Sequence, residues 1–479
     1  MDLNPYYIKE NINDIGLKEG FSLLKDWISN SSDFHLRKEA LEVYGQLDNG
    51  TNFRFFEQLF LSDEDVKIRL LAGEFLKKRY YHHPKLISLL GFSLFNEKNI
   101  EQKFMAIEIL NRLNSKKSNR VVKEFLKKTI KDNFSKNIKD FPQELFNFDD
   151  DSSISEDYLE ICFNLILYIF YCNEKGYNVV LKNGLIILLD CESFNIKDIS
   201  NIPGFDRLTR LEHLLLRRNQ ISRIKNLDHL KNLKVLDLSE NYIQEIENLD
   251  NLENLEELKL SMNKIKKIKN LSITRVKKLS LDHNLLTEIE NLDELINLEF
   301  LNLSYNNIRK IKNLKGLQNL KSLNLSDNKI EDMSQLEYLP NLVSLRLNDN
   351  SIKRICCLNN LSELKTLNIS NNLIERIESL QNLTNLTKLE LSNNKIKKIE
   401  GLNQLIKLQE LFLDKNLITK LEGLENLKSL IILFLEHNYI SEFRINDIDD
   451  LKNLNFIFLN ENPLTSESRM HYEKKTRFP

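Results

Sequence analysis

The sequence predicts two solenoids in tandem, an α plus α/β architecture: an α-α superhelix first, then a curved solenoid with a parallel β-sheet on its concave face. Three observations carry this. From about Leu208 to Asn462 one unit recurs, L-x-x-L-x-x-L-x-L-S-x-N-x-I-x-x-I, with Leu233, Leu236, Leu238, Asn241, Ile243 and Ile246 as one complete copy. Its asparagine returns at Asn219, Asn241, Asn263, Asn284, Asn306, Asn328, Asn350, Asn372, Asn394, Asn416, Asn438 and Asn462, with gaps of 22 residues apart from one of 21 and a last one of 24. Residues 1–148 instead carry helical periodicity, and a proline and an acidic-serine run separate the two parts. A nearly fixed period over so many copies is the mark of coils that pack only on their neighbours.

In the first region, Leu36, Ala40, Val43 and Leu47 fall on one helical face. Val66, Leu70, Gly73 and Leu76, widened by Ile68 and Ala72, make a second face, and Phe104, Ile107, Leu110 and Leu113 a third. The three align on Arg37 with Ala40, Arg69 with Ala72, and Lys103 with Ala106, at offsets of 32 and then 34 residues. Partner helices are expected near Phe53 to Leu61, Lys85 to Phe95 and Arg120 to Ile130. Ser62 and Asp65 are spaced as a capping box opening the second repeat. A leading helix, Gly16 to Ser29, would cap the stack with Trp27 in a core. A basic and a small residue recurring on the first helix of each pair resembles short HEAT-type repeats. The alternative is a plain helical bundle.

Residues 149–184 read as linker, capping helix and hairpin. Phe141-Pro142 and the run Asp149 to Ser153 break the helical pattern. Ser153 and Glu156 are spaced as a second capping box. The helix from Glu156 to Cys172 has an apolar run of about a dozen residues interrupted by Asn164. A membrane span needs roughly 20, so the expected role is a buried helix that plugs the open end of the solenoid. Asn178 to Leu181 and Leu185 to Asp190 flank Lys182-Asn183-Gly184, a hairpin signal. The second of these strands opens a degenerate coil in which Phe194 stands in the asparagine position. A phenyl ring cannot bond a turn, so this coil is terminal.

Residues 185–464 hold the repeats. Leu236 and Leu238 alternate with Val235, Asp237 and Ser239, which is strand period two with leucines inward. The asparagine amide can bond backbone groups of the turn that ends the strand. Stacked, the twelve asparagines form an internal structural ladder. Ile243, Ile246 and Leu249 fill the core from the outer side, where the short spacing admits 3₁₀ turns or extended chain and no long helix. The stretch resembles the leucine-rich repeat family in its short 22-residue class. That resemblance is specific for fold and says little of function. Residues 465–479 would form at most a short capping helix, leaving the last core face thinly shielded.

Composition narrows the function. The 68 basic and 70 acidic residues nearly cancel, against a dedicated nucleic-acid binder. The five cysteines (Cys162, Cys172, Cys191, Cys356 and Cys357) are unpatterned, so no disulfide framework or metal site is implied. Met1 to Glu10 lacks a signal-peptide apolar core. These point to a cytoplasmic protein without a membrane span. With 12 scattered glycines there is no phosphate loop, and no acid/base pair stands out, so neither cofactor nor catalysis is expected. His82-His83 before Pro84 reads as a helix-start feature.

The register gives the inner face. Four residues before each ladder asparagine stand Leu215, Asp237, Lys259, Ser280, Asn302, Asn324, Arg346, Asn368, Glu390, Phe412, Phe434 and Phe458. The last three would stack, with Ile432 and Phe456 beside them. Contiguous exposed aromatics mark a partner surface. The alternative is that the tail, with Met470, Tyr472 and Phe478, folds back over them. A second face alternates charge from coil to coil, as in Lys225, Glu247, Lys269, Glu290 and Lys312. It would set register and solubility. His213, Leu215, Arg217 and Arg218 make a mixed patch suited to docking the helical region or a ligand. The expected function is a non-catalytic scaffold or adaptor that binds another protein on the concave face. The 22-residue class also implies a protein-phosphatase regulatory subunit as an alternative. A regulator of a small GTPase would need a catalytic Arg or Asn on a loop insertion, and the spacing offers only the two-residue excess before Asn462.

Overall fold

The computed structural model describes residues 3–134, 141–142, 145–146, 153–269 and 271–477. The chain divides into two compact units, Met1–Ile186 and Ile187–Pro479.

The first unit is built of helical repeats. Two short helices, α1 (Pro5–Glu10) and α2 (Ile12–Ile15), lead into α3 (Leu17–Asn30). Three pairs follow: α4 (Phe34–Leu47) with α5 (Phe53–Ser62), α6 (Val66–Arg79) with α7 (Leu86–Asn96), and α8 (Ile100–Leu113) with α9 (Lys116–Phe134). The first helix of each pair is capped at the same place. Asp33, Asp65 and Asn99 accept from the backbone N–H groups of His35, Lys67 and Gln102, satisfying donors the helix itself leaves open. The expected Ser62 capping box is corrected here. Ser62 ends α5 and donates its hydroxyl to the Gln58 carbonyl, while Asp65 caps α6 itself.

Two of the recurrent basic positions, Arg37 and Arg69, tie their helices to the turn before. Arg37 is buried, donates from Nε to the Ile28 carbonyl at 2.7 Å and pairs with Asp63 at 2.5 Å. Arg69 donates to the Asp63 carbonyl at 2.7 Å and to Gln102 at 2.8 Å. Two glycines let helices approach closely. A Cβ on Gly45 of α4 would stand 2.2–2.4 Å from ring atoms of Phe75 on α6, and one on Gly73 would stand 2.2 Å from Sδ of Met105 on α8. A Gly45→Val variant should therefore lose about 1–3 kcal/mol of stability, because the Phe75 ring must leave its rotamer well. Urea unfolding checks this by a lower midpoint with unchanged slope. Trp27 is half-buried, and the core of α3 is formed by Gly20, Leu24 and Ile28 one helical position on. That corrects the core placement expected for the tryptophan.

Helix α10 (Glu156–Phe170) completes this unit. It is capped by Ser155, which accepts from Tyr158 N, where the sequence suggested Ser153. Asp149 to Ser152 lie outside the described residues. Phe163 meets Phe104 of α8 at 5.3 Å and Tyr168 meets Phe134 of α9 at 5.0 Å. Asn164 sits buried in the apolar run with both ends of its amide used. It donates to Glu160 O and accepts from Ile186 N at 2.8 Å each. Strands β1 (Asn178–Lys182) and β2 (Leu185–Asp190) join through Asn183 and Gly184. Their φ values of 53° and 79° are the left-handed pair a type I′ hairpin turn requires. The unit boundary falls within β2.

The second unit is a parallel-strand solenoid of about twelve turns. Its strands are three residues long: β3 (His213–Leu215), β4 (Val235–Asp237), β5 (Glu257–Lys259), β6 (Lys278–Ser280), β7 (Phe300–Asn302), β8 (Ser322–Asn324), β9 (Ser344–Arg346), β10 (Thr366–Asn368), β11 (Lys388–Glu390), β12 (Glu410–Phe412), β13 (Ile432–Phe434) and β14 (Phe456–Phe458). Each pairs in parallel with the next, and residues 22 apart lie side by side, as Leu367 does with Leu389, except for offsets of 21 between β5 and β6 and 24 between β13 and β14. The core is aliphatic: Leu236, Leu258 and Leu301 are fully buried, as are Ile243 and Leu249 from the outer side. The outer side holds turns and short 3₁₀ segments at Phe205–Arg207, Leu336–Tyr338 and Ile445–Ile448. The last of these lies in the coil that carries the two extra residues. Helix α11 (Ser466–Arg477) follows the last strand.

Candidate functional site

The inner face rests on the asparagines beneath it. Asn306 donates from Nδ2 to Leu281 O at 3.0 Å and to Leu303 O and Ser304 O at 3.1 Å each. Its Oδ1 accepts from Leu286 N at 2.9 Å. One amide thus satisfies backbone groups of its own coil and the coil before. The same set recurs from Asn241 to Asn438, for example at Asn241 and Asn416. At the ends, Asn219 accepts from Phe194 N and Ile196 N of the degenerate coil, and Asn462 accepts from Ile440 N. Eleven of the twelve are buried and Asn350 is half-buried. The residue before each one is left-handed, from Arg218 at φ 55° to Glu461 at φ 57°. That bend ends the three-residue strand and turns the asparagine inward.

Two further asparagine columns went unread in the sequence. Asn248, Asn291 and Asn313 are themselves left-handed and donate to Ile224 O, Ile268 O and Ile289 O of the preceding coil. Asn254, Asn297, Asn319 and Asn341 donate to Lys231 O, Thr274 O, Ile296 O and Gln318 O. Their signal was present but intermittent, since other coils put Gly, Cys, Ser or Gln in the first column and Arg, Glu or Lys in the second.

The face itself changes character along its length. At the first coils Arg217 and Arg218 both bond Glu240, at 2.5 and 2.9 Å. Hydrogen bonds from Arg218 and Arg217 hold the Glu240 carboxyl below the usual range. His213 and Leu215 lie on β3 beside them. The middle is polar, a shallow depression of about 400 Å³ lined by Asn324, Arg346, Asn348 and Asn368. At its margin Tyr305 stacks on His283 at 4.1 Å, and burial followed by the Asp349 charge raises the pKa of Asp327.

The last three strands differ. Phe412, Phe434 and Phe458 occupy one register column and stack face to face, with centroids 4.8 and 4.3 Å apart and planes within 11° and 9°. Such near-parallel stacking is imposed by the strand spacing of about 4.8 Å; free rings prefer offset or edge-on contacts. The Lys388 ammonium closes the column 4.9 Å from the Phe412 centroid. Ile432 and Phe456 form the neighbouring column, and Phe456 is 50% exposed. Of the tail residues that the alternative would fold back over them, Met470 is 50% exposed. Tyr472 meets Phe443 edge-on, and its hydroxyl accepts from Leu459 N at 3.2 Å. Phe478 lies outside the described residues.

On the other face, charges pair between neighbouring coils: Arg223 with Glu247 at 2.9 Å, Arg354 with Glu378 at 3.1 Å and Arg376 with Glu400 at 2.9 Å. Exposed pairs of this kind are worth ~0–1 kcal/mol each. His83 stacks on Phe53 at 3.6 Å. Among the described residues no group of three His, Cys, Asp or Glu side chains is placed to hold a metal ion. No helix among them is long and apolar enough to cross a membrane.

Leucine-rich repeat models match residues 209–251, 296–338, 340–396 and 384–426. An internalin from Listeria monocytogenes is 31% identical over 62% of this chain and 88% of its own, with a TM-score of 0.55. The chain belongs to the leucine-rich repeat family. A leucine-rich repeat protein from Leptospira interrogans, 24% identical over 60% of this chain and 93% of its own at a TM-score of 0.54, shares the fold. No curated protein matches the sequence. Leucine-rich repeat solenoids are in general protein-interaction scaffolds and typically non-catalytic, and this chain has their architecture.

Proposed function

We propose that the protein is a non-catalytic scaffold or adaptor that binds a partner protein on the sheet face, anchored by Phe412, Phe434 and Phe458 with Ile432 and Phe456 at their side. The carrying observation is the stacked column itself. Three rings held parallel on a backbone ladder are ordered before any partner arrives, so little entropy is lost on binding. Aromatic anchors of this kind commonly contribute 2 kcal/mol or more each to an interface. The free cysteines support a reducing, cytoplasmic setting for this activity.

The test is a Phe412→Asp, Phe434→Asp double variant. It should melt at the wild-type temperature and lose at least ~30-fold in affinity for a protein captured by the wild-type chain. Unchanged capture by a folded double variant would reject the reading. If the double variant unfolds, Phe456→Asp on the half-exposed neighbouring column replaces it with the same readout.

A further inference from the structure

The coil between β9 and β10 carries two adjacent thiols, Cys356 and Cys357. Their sulfurs lie 3.3 Å apart, with the Cys357 thiol donating to Cys356 Sγ. Both residues are half-buried, and neither is sealed in the core. The fold fixes the pair. Ile355 before it is buried and Leu358 after it is fully buried, so the dipeptide is pinned at both ends. Cys357 itself sits at φ 60°, the left-handed turn position that Asn291 and Asn313 hold in other coils.

These surroundings narrow what the two thiols can do. The peptide between them is trans, which sets neighbouring Cα atoms about 3.8 Å apart, short of the roughly 4.4–6.8 Å of ordinary disulfides. Burial, followed by the Cys356 thiol and the Glu337 carboxylate, raises the pKa of Cys357 and so keeps it a protonated thiol, slow to oxidise. A tetrahedral zinc site needs four donors. Among the described residues no group of three His, Cys, Asp or Glu side chains is placed to hold a metal ion. What fits is a soft centre that takes two sulfurs only and removes the thiol protons itself. Trivalent arsenic is such a centre. It is pyramidal, and two As–S bonds set near a right angle span the separation seen here.

We infer that Cys356 and Cys357 form a bidentate site for a trivalent organoarsenical. The step is a condensation without redox change. Two S–H bonds and two As–OH bonds break, two As–S bonds form, and each thiol proton leaves on an arsenic hydroxide as water. The second thiol already stands beside the first, so ring closure is intramolecular and favoured over capture by separate thiols. The other cysteines offer no such pair: Cys162 and Cys191 are buried, and Cys172 bonds Tyr168.

Phenylarsine oxide on the reduced full chain tests this, with excess 2-mercaptoethanol present to strip arsenic from single thiols. Intact mass should show one phenylarsenic gained and two hydrogens lost per chain. Tryptic mapping should place it on the peptide from Ile355 to Lys365. A vicinal dithiol, 2,3-dimercaptopropanol, should remove it. Cys356→Ser and Cys357→Ser should each abolish the adduct. No adduct on the wild-type chain, an adduct on another peptide alone, or an adduct retained by either folded variant would overturn the inference. If the serine variants do not fold, the mapping on the wild-type chain decides, and arsenic absent from the peptide with Cys356 and Cys357 rejects the site.

Discussion

Asn306→Leu should destabilise the repeat unit by about 3 kcal/mol or more, although leucine has nearly the shape of asparagine. The change opens little cavity; it removes the hydrogen bonds alone. Leu286 N–H then loses its acceptor, and the carbonyls of Leu281, Leu303 and Ser304 lose a donor, all in a dry interior. A buried polar group left unmatched costs ~1–3 kcal/mol. Urea unfolding should show a lower midpoint, and hydrogen exchange should show loss of protection at the Leu286 amide. Asn350→Leu is the internal comparison. It breaks the matching bonds to Leu325 O and Ile330 N, but at a half-buried position where water can replace them. Its loss should be clearly smaller. Equal losses would mean that the amide network is not what holds neighbouring coils in step.

The second large effect is expected in the helical unit. Asp63→Ala should cost about 3–5 kcal/mol, the usual result of removing one partner of a buried ion pair. The Arg37 guanidinium would keep the Ile28 carbonyl but lose its 2.5 Å carboxylate, with side chains only 8% and 6% exposed. The Asp65 N–H would lose its acceptor as well. Arg37→Met combined with Asp63→Ala should recover a substantial part of that loss, since no uncompensated charge then remains. Thermal and urea unfolding of the two single variants and the pair form the cycle. A double variant as unstable as the sum of the singles would show that Arg37 serves packing and not charge pairing.

Much of the fold was legible because repetition averages out accident. The alternation at Leu236 and Leu238 and the isoleucines at Ile243 and Ile246 recur in phase, and that phase alone set the register that brings Phe412, Phe434 and Phe458 onto neighbouring strands. What counting could not give was the pitch of the rings against one another, which the strand spacing dictates. Nor could it find the second asparagine column. The demand there is for positive φ, which Asn291 and Asn313 meet but so do Gly401, Cys357 and Ser379 in other coils. A shared backbone need met by unlike residues leaves no fixed letter to follow. The helix starts slipped for a similar reason. Ser62 and Ser153 had plausible spacing, yet the carboxylate of Asp65 and the hydroxyl of Ser155 lie three and two residues closer to the open N–H groups.

Throughout the solenoid, the N–H two residues beyond each strand's central leucine donates to the next coil, as Leu435 N does to Phe458 O. Leu459 follows the last described strand, and its N–H donates instead to the Tyr472 hydroxyl of α11. An open parallel edge is a template on which another chain can continue the ladder. Tyr472 therefore fills, for this one N–H, the acceptor place that a further rung would hold.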